Sequence, residues 1–484
     1  MKHPFLLLGL FAALVACNRQ ADDGPVTVSV VADTLPKIVD PDRHRLSSAE
    51  AVLLGATAQG LVRFDGTGQI EPGLAIRWDV SDDGIYYDFR TAEDSPIDAE
   101  QAARAFRATM RQSSRNPLKY LLGAVEEVVA VTPEVVEIRL GAPRPNMLQL
   151  LAQPEFALLG KKNEGTGPFR IARRTGHIVL LTPVSSEEPE ELDEEERERR
   201  EVLLRGETTA RAVARFEAGR TALVLGGTFA DLGIARAAKL PANALRFDPV
   251  QGLFGLDIVS TKGFAGSAEN RRALSMAIDR DAILRAFNVP GWHVTETLVP
   301  APLVDLAAPA RPDFIDTNLA IRRALGRDSV DSWIAQKNAA PHIRVAMPPG
   351  PGAELLFTLL RLDWRSIGIE AEAVPFDDEK ADLRLVDEVA PIDGAAWYLR
   401  RFSCEQRPMC SEEADVQLAA ARAAKTPAER ARLLAAADAR LAQITPFIPI
   451  ATPVRWSLVS QRLGGFQENA RGVHPLNHLR APPR

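Results

Sequence analysis

The chain has 484 residues, 58 basic and 64 acidic, for a formal net charge of −6, with 46% hydrophobic and 25% charged residues. That length exceeds one ordinary hydrophobic core and predicts two or three domains of soluble-type composition. There is no basic excess to attract a nucleic acid, so none is expected as a partner.

Lys2 and His3 precede the apolar run PFLLLGLFAALVA, which is too short to span a bilayer as a mature helix and reads as a secretory signal peptide covering residues 1–17. Leu14-Val15-Ala16-Cys17 resembles the lipobox of bacterial lipoproteins, which implies lipidation of Cys17. An ordinary cleaved signal with Cys17 incidental is the alternative. Residues 18–25 then form a short tether.

Val26 to Val31 is a β-branched run and predicts the first strand of the mature fold. Asp65-Gly66 and Pro72-Gly73 punctuate a short strand pair. Beyond it Ile76, Trp78 and Val80 alternate with polar residues, and after Asp82-Asp83-Gly84 so do Ile85, Tyr87 and Phe89, a β-hairpin with one buried face. Asp98 and Gln101 predict a capped helix start. Gly165-Thr166-Gly167-Pro168-Phe169 is a turn into strands; a phosphate loop would need a helix after it, and Pro168 before a strand argues against one. The charged run from Glu187 to Arg200 reads as a solvated segment.

Ala273, Leu274, Ala277 and Ile278 fall on one helical face, and Asp279 is placed to cap the next helix, toward Phe287. From Ile343 to Val374 the pattern is strand, helix, glycine stop and strand, a βαβ unit. Cys404 and Cys410 enclose five residues, and a disulfide is the expected reading in an oxidising compartment. Two thiols with no nearby histidine supply too few ligands for a metal site. Thr426-Pro427-Ala428-Glu429 starts a helix that Pro446 ends.

Several of these stretches together resemble the family 5 extracytoplasmic solute-binding proteins, the peptide and nickel binding components of ABC importers. The resemblance rests on Gly60-Leu61-Val62, Pro72-Gly73-Leu74-Ala75, Trp78 and Ser81-Asp82-Asp83-Gly84. It continues in Gly165-Thr166-Gly167-Pro168-Phe169, in Asn270 to Ile283 and in Pro446-Phe447-Ile448-Pro449-Ile450. It implies an α/β, two-lobe periplasmic-binding-protein type II (Venus-flytrap) fold with the first lobe split into two subdomains. The expected division is a first-lobe core of residues 26–50, 160–260 and 448–484, an extra subdomain of residues 51–159, and a second lobe of residues 261–447.

The chain carries no G-x-S-x-G, H-E-x-x-H, paired C-x-x-C or G-x-x-x-x-G-K-[ST] pattern, and neither catalysis, a cofactor nor a metal is expected. His474 and His478 are separated by Pro475 and read as two solvated tail residues. What the resemblance implies is reversible capture of a small peptide or peptide-like solute by a lipid-anchored monomer outside the cytoplasm, which then docks on an ABC transporter permease. A non-peptide solute (a nickel chelate, a sugar or an opine-like compound), a sensing or chaperone-like lipoprotein, and a secreted enzyme on the same scaffold are the alternatives.

Leu35 to Pro41 resembles the family's cleft-opening segment and makes Asp40 a candidate. Where relatives carry an aspartate-rich ligand segment, this chain departs from them with Asp387 to Gly394 and then Trp397 and Tyr398. Asp387 or Asp393 is the candidate to hold a ligand amine, with solvated loop positions the alternative. Trp397 and Tyr398 are candidates to wall the pocket, with core packing the alternative.

Overall fold

The β-branched run Val26–Val31 is the central strand of a seven-stranded sheet, with Val28 and Val30 fully buried. It pairs in parallel with Val202–Glu207 and Leu223–Thr228, and antiparallel strands extend the sheet on both sides. A computed structural model describes residues 24–160, 165–184 and 200–480. The expected signal peptide, Cys17 and most of the charged run lie outside the described residues.

A second, five-stranded sheet runs in the order Glu370–Pro375, His342–Met347, Leu383–Val389, Gly252–Ile258, Phe447–Ala451. Its first two strands are the parallel pair of the expected βαβ unit, joined by the helix Pro351–Arg365. Gly252–Ile258 belongs to this sheet rather than to the first lobe as expected: all seven residues are buried, and it pairs along its whole length with Leu383–Val389. Phe447–Ala451 pairs on its other side, so both boundaries shift by several residues. The chain crosses between the sheets twice, before Gly252 and after Ala451. The crossings run side by side, with the Asp248 N–H donating to the Arg455 carbonyl at 3.0 Å.

Residues 62–158 build a separate layer: the short pair Val62–Phe64 and Ile70–Pro72, and a four-stranded sheet in the order Ala75–Val80, Tyr86–Thr91, Val135–Leu140, Val125–Thr132. The helix Ala99–Thr109 starts where expected, the Gln101 N–H donating to Asp98 Oδ1 at 2.7 Å. Tyr87 and Phe89 are buried, but Ile76 is 55% and Val80 40% exposed. The one-face burial expected of the first hairpin strand fails because Ala75–Val80 is the sheet's edge and a bulge between Ala75 and Arg77 shifts its register.

This layer does not have a core to itself. Met147, Leu150 and Leu151 join Ile392, Trp397, Tyr398 and Leu434 in one continuous buried cluster that also takes in Leu253, Val386 and Phe447, so the layer packs on the helices Ala395–Arg400 and Pro427–Ile444 as well as on the second sheet. The expected helix pair is Ala268–Ala277 and Arg280–Phe287, with Asp279 capping the second through a 2.8 Å bond from the Ala282 N–H. Arg271 and Arg280, both 3% exposed, brace it by donating to the carbonyls of Ile444, Ala265 and Pro449. Among the described residues no helix is long and apolar enough to cross a membrane.

Candidate ligand cleft

A cavity of about 420 Å³ opens where the two sheets and the extra layer meet. The first sheet contributes Leu225–Thr228, Trp456 and Ser457, the second Asp387 and Val389, and the extra layer Arg63, Phe64, Gln153 and Pro154. The tail segment 471–477 closes one side.

Local sequence fixes each wall. Ser47 and Glu50 form a reciprocal capping box at the start of the helix Ser48–Thr57, with bonds of 3.3 and 2.9 Å, and this helix lines the cleft. Gly226 has φ +85°, and a Cβ on Gly227 would fall 2.2 Å from the Trp456 ring. Glycine is therefore what lets the strand pass under the indole. Trp456 is held by its Nε1–H donating to the Thr228 carbonyl at 2.8 Å.

The polar groups of the cleft are arranged in opposed pairs. Arg455 Nη1 donates to Asp387 Oδ1 at 2.7 Å, and Nη2 donates to the Asp387 carbonyl at 3.1 Å. Burial pushes the Asp387 carboxyl above its ordinary range, against the opposing pull of Arg455. His474 Nε2 lies 3.0 Å from Asp248 Oδ2, both side chains buried, with the imidazole stacked on Phe466. Arg63 donates to Glu71 at 2.8 Å and to Gln59 Oε1 at 3.2 Å, and His478 reaches the same Glu71 at 2.9 Å. The two histidines are thus not free tail residues: the chain after Gly464 folds back, burying the His474 side chain and leaving His478 half-buried against Glu71.

The expected site residues separate into different places. Asp387 faces the cleft, already paired with Arg455. Asp393 does not line it; its carboxylate accepts from Arg471 and, at 2.9 Å, from Gln149 Nε2. Burial raises the Asp393 pKa, but the Arg471 hydrogen bond and charge, with Gln149, outweigh that and hold the group below its usual value. Trp397 and Tyr398 are 5% and 2% exposed and meet edge to face at 4.8 Å within the shared core, not on the cavity wall. The cause is the short helix Ala395–Arg400, which turns both rings toward the extra layer.

Asp40 sits at a separate hollow of about 210 Å³, its carboxylate accepting the Asp42 N–H at 2.9 Å. Cys404 and Cys410 are bonded to each other and do not line the cleft. Sequence reasoning missed Arg455, Trp456, Arg471, His474 and Asp248, which lie on strand ends and tail turns with no motif around them. The close glycine pair Gly226-Gly227 was the one local signal of an unusual wall.

Among the described residues no group of three or more His, Cys, Asp or Glu side chains is placed to hold a metal ion. The cleft lining combines fixed charges, among them Arg455, Asp387 and Asp248, with one indole wall.

The sequence model of the "Bacterial extracellular solute-binding proteins, family 5 Middle" matches residues 69–400. The nickel-binding periplasmic protein of Escherichia coli (strain K12) is 32% identical over 100 residues, a match spanning 19% of each chain. The fold is similar to that of Haemophilus influenzae OppA in complex with RPPGFSPFR, with TM-score 0.81, 16% identity, 95% of this chain and 99% of that one covered. It is also similar to NikZ from Campylobacter jejuni in complex with Ni(L-His), with TM-score 0.73, 20% identity and coverage of 95% and 99%. The architecture is accordingly the α/β two-lobe fold, and the chain belongs to the bacterial extracellular solute-binding proteins of family 5.

Proposed function

We propose that this protein captures a small peptide or peptide-like solute in the cleft and hands it, in the closed form, to the permease of an ABC importer. The observation that carries this reading is the cavity of about 420 Å³ lined at once by both sheets and the extra layer. Its volume falls within the roughly 300–1,000 Å³ usual for small-ligand sites. A solute touching both sheets favours the closed arrangement by its differential contacts, which is what closure requires.

A peptide suits the lining. Arg455, Arg63 and Arg471 present guanidiniums to a carboxylate, Asp387 presents a carboxylate to an amine, and Phe64 and Trp456 offer apolar wall to side chains. Asp387 stands ready for an amine only if Arg455 is shared with the ligand, so the pair acts as a unit. The protein works outside the cytoplasm, as a monomer tethered through a lipid on Cys17.

A nickel chelate that brings its own donors is the second reading. It is favoured by the imidazole of His474 on the cleft wall and by the matches to a nickel-binding protein and to a Ni(L-His) complex. Mass spectrometry of the small molecules released on denaturing natively purified protein tests both. Peptides in that fraction are expected; nickel with a chelator and no peptide would overturn the first reading in favour of the second, and a sugar alone would overturn both.

A further inference from the structure

A second, smaller cavity of about 70 Å³ lies away from the cleft, between the extra layer and the helices of the second lobe. About 10–15 Å³ of such space holds one water, so there is room here for several waters or one small ion. Four guanidiniums border it: Arg144 from the extra layer, and Arg400, Arg422 and Arg430 from the second lobe. Asp305 is the one carboxylate in the lining, and its Oδ1 already accepts the Ala395 N–H at 3.0 Å.

Arg144, Arg400 and Arg430 are half-buried and Arg422 is exposed, and the protein partners of the half-buried three are sparse. Arg430 reaches Asp305 Oδ2 and the Ala421 carbonyl only at 3.4 and 3.3 Å. Arg400 donates to the Tyr120 carbonyl at 3.3 Å and lies over the Tyr120 ring. Arg144 donates to two backbone carbonyls, those of Pro143 and Arg422, and to no carboxylate. Glu405 and Asp415 act on Arg400 from outside the cavity. Burial and then repulsion from Arg430 bring Arg144 down to about 10, the direction expected of a cation short of counter-charge.

A half-buried cluster of like charges is unfavourable unless something opposes it, and guanidinium forks match the planar or tetrahedral oxygens of carboxylates and phosphates. We propose that this cavity is a binding site for a small oxyanion, a phosphate or a carboxylate, gripped by Arg144 from one side and by Arg400 and Arg430 from the other.

The test is calorimetric titration of the full mature protein with inorganic phosphate and, in a parallel arm, with acetate. Saturable binding of at least one anion is expected, and the tighter arm identifies the source. Arg430→Gln and Arg144→Gln should each weaken it about tenfold, a loss of about 1.4 kcal/mol. Asp305→Asn keeps the acceptor for Ala395 but removes the opposing charge, and should tighten binding several-fold. A purely structural arginine cluster predicts no such gain. Absence of saturable binding in both arms, binding indifferent to the arginine changes, or weaker binding in Asp305→Asn would each overturn the proposal. None of these outcomes depends on what occupies the main cleft.

Discussion

One guanidinium joins the two sheets beside the chain crossings: Arg455, on a strand of the first sheet, binds both the carboxylate and the carbonyl of Asp387, on the central strand of the second. Removing Arg455 leaves a carboxylate in the cleft wall that burial already holds above its ordinary pKa. Arg455→Met is expected to lower stability by about 3 kcal/mol at neutral pH, read as the urea midpoint. The deficit should shrink as the pH falls and Asp387 takes up a proton, and adding Asp387→Asn should recover most of it. A deficit indifferent to pH would show that the pair carries no such charge penalty.

Asp393 ties three segments together. Its N–H donates to Gln149 Oε1 at 3.0 Å, its carbonyl accepts from Asn146 Nδ2 at 2.7 Å, and its carboxylate accepts from Gln149 and Arg471. Asp393→Ala should weaken ligand binding about tenfold, equivalent to 1.4 kcal/mol of closure free energy. The radius of gyration of the ligand-free protein, measured by small-angle scattering, should rise with it. Unchanged affinity and size would remove the contact from the closure mechanism.

Asp438 is 1% exposed on the helix Pro427–Ile444; its Oδ2 accepts the Ala310 N–H at 2.6 Å, while its Oδ1 has no partner. Burial raises its pKa to about 6, above the ordinary 3.8, so the ionised form destabilises the fold. The penalty is absent below the unfolded pKa, grows as the pH rises, and is complete above the folded pKa. Asp438→Asn should therefore stabilise by roughly 2–3 kcal/mol at pH 8 and by nearly nothing at pH 4, compared as thermal midpoints. Equal effects at both pH values would refute the assignment.

The loop closed by Cys404 and Cys410 carries Arg407, whose Nε lies 3.1 Å from the buried Asp257. Closing a loop of sequence separation 6 is worth about 2 kcal/mol of chain entropy. Cys404→Ser with Cys410→Ser should cost that amount, and reductant should lower the midpoint of the parent protein but not of the double variant.

Cys17 is testable in cells. Cys17→Ala should abolish incorporation of labelled palmitate and move the protein from the membrane to the soluble fraction. Retention of label would exclude this cysteine as the anchor.

Local structure follows from the residues along the chain wherever short-range chemistry decides it. The caps at Asp98, Asp279 and Thr426, the βαβ unit and the turn at Gly84 all form where spacing and capping place them. Ordered motifs from Gly60 to Ile450 likewise identified the family. The cleft is legible only in three dimensions, because its walls come from segments far apart in the chain. Arg455 meets Asp387 across 68 positions and His474 meets Asp248 across 226. Trp397 and Tyr398 read equally as pocket or core in one dimension, and it is the core shared with the extra layer that buries them. A side chain's neighbours in sequence set its backbone, but only its neighbours in space decide whether its charge is spent on the fold or left for a ligand.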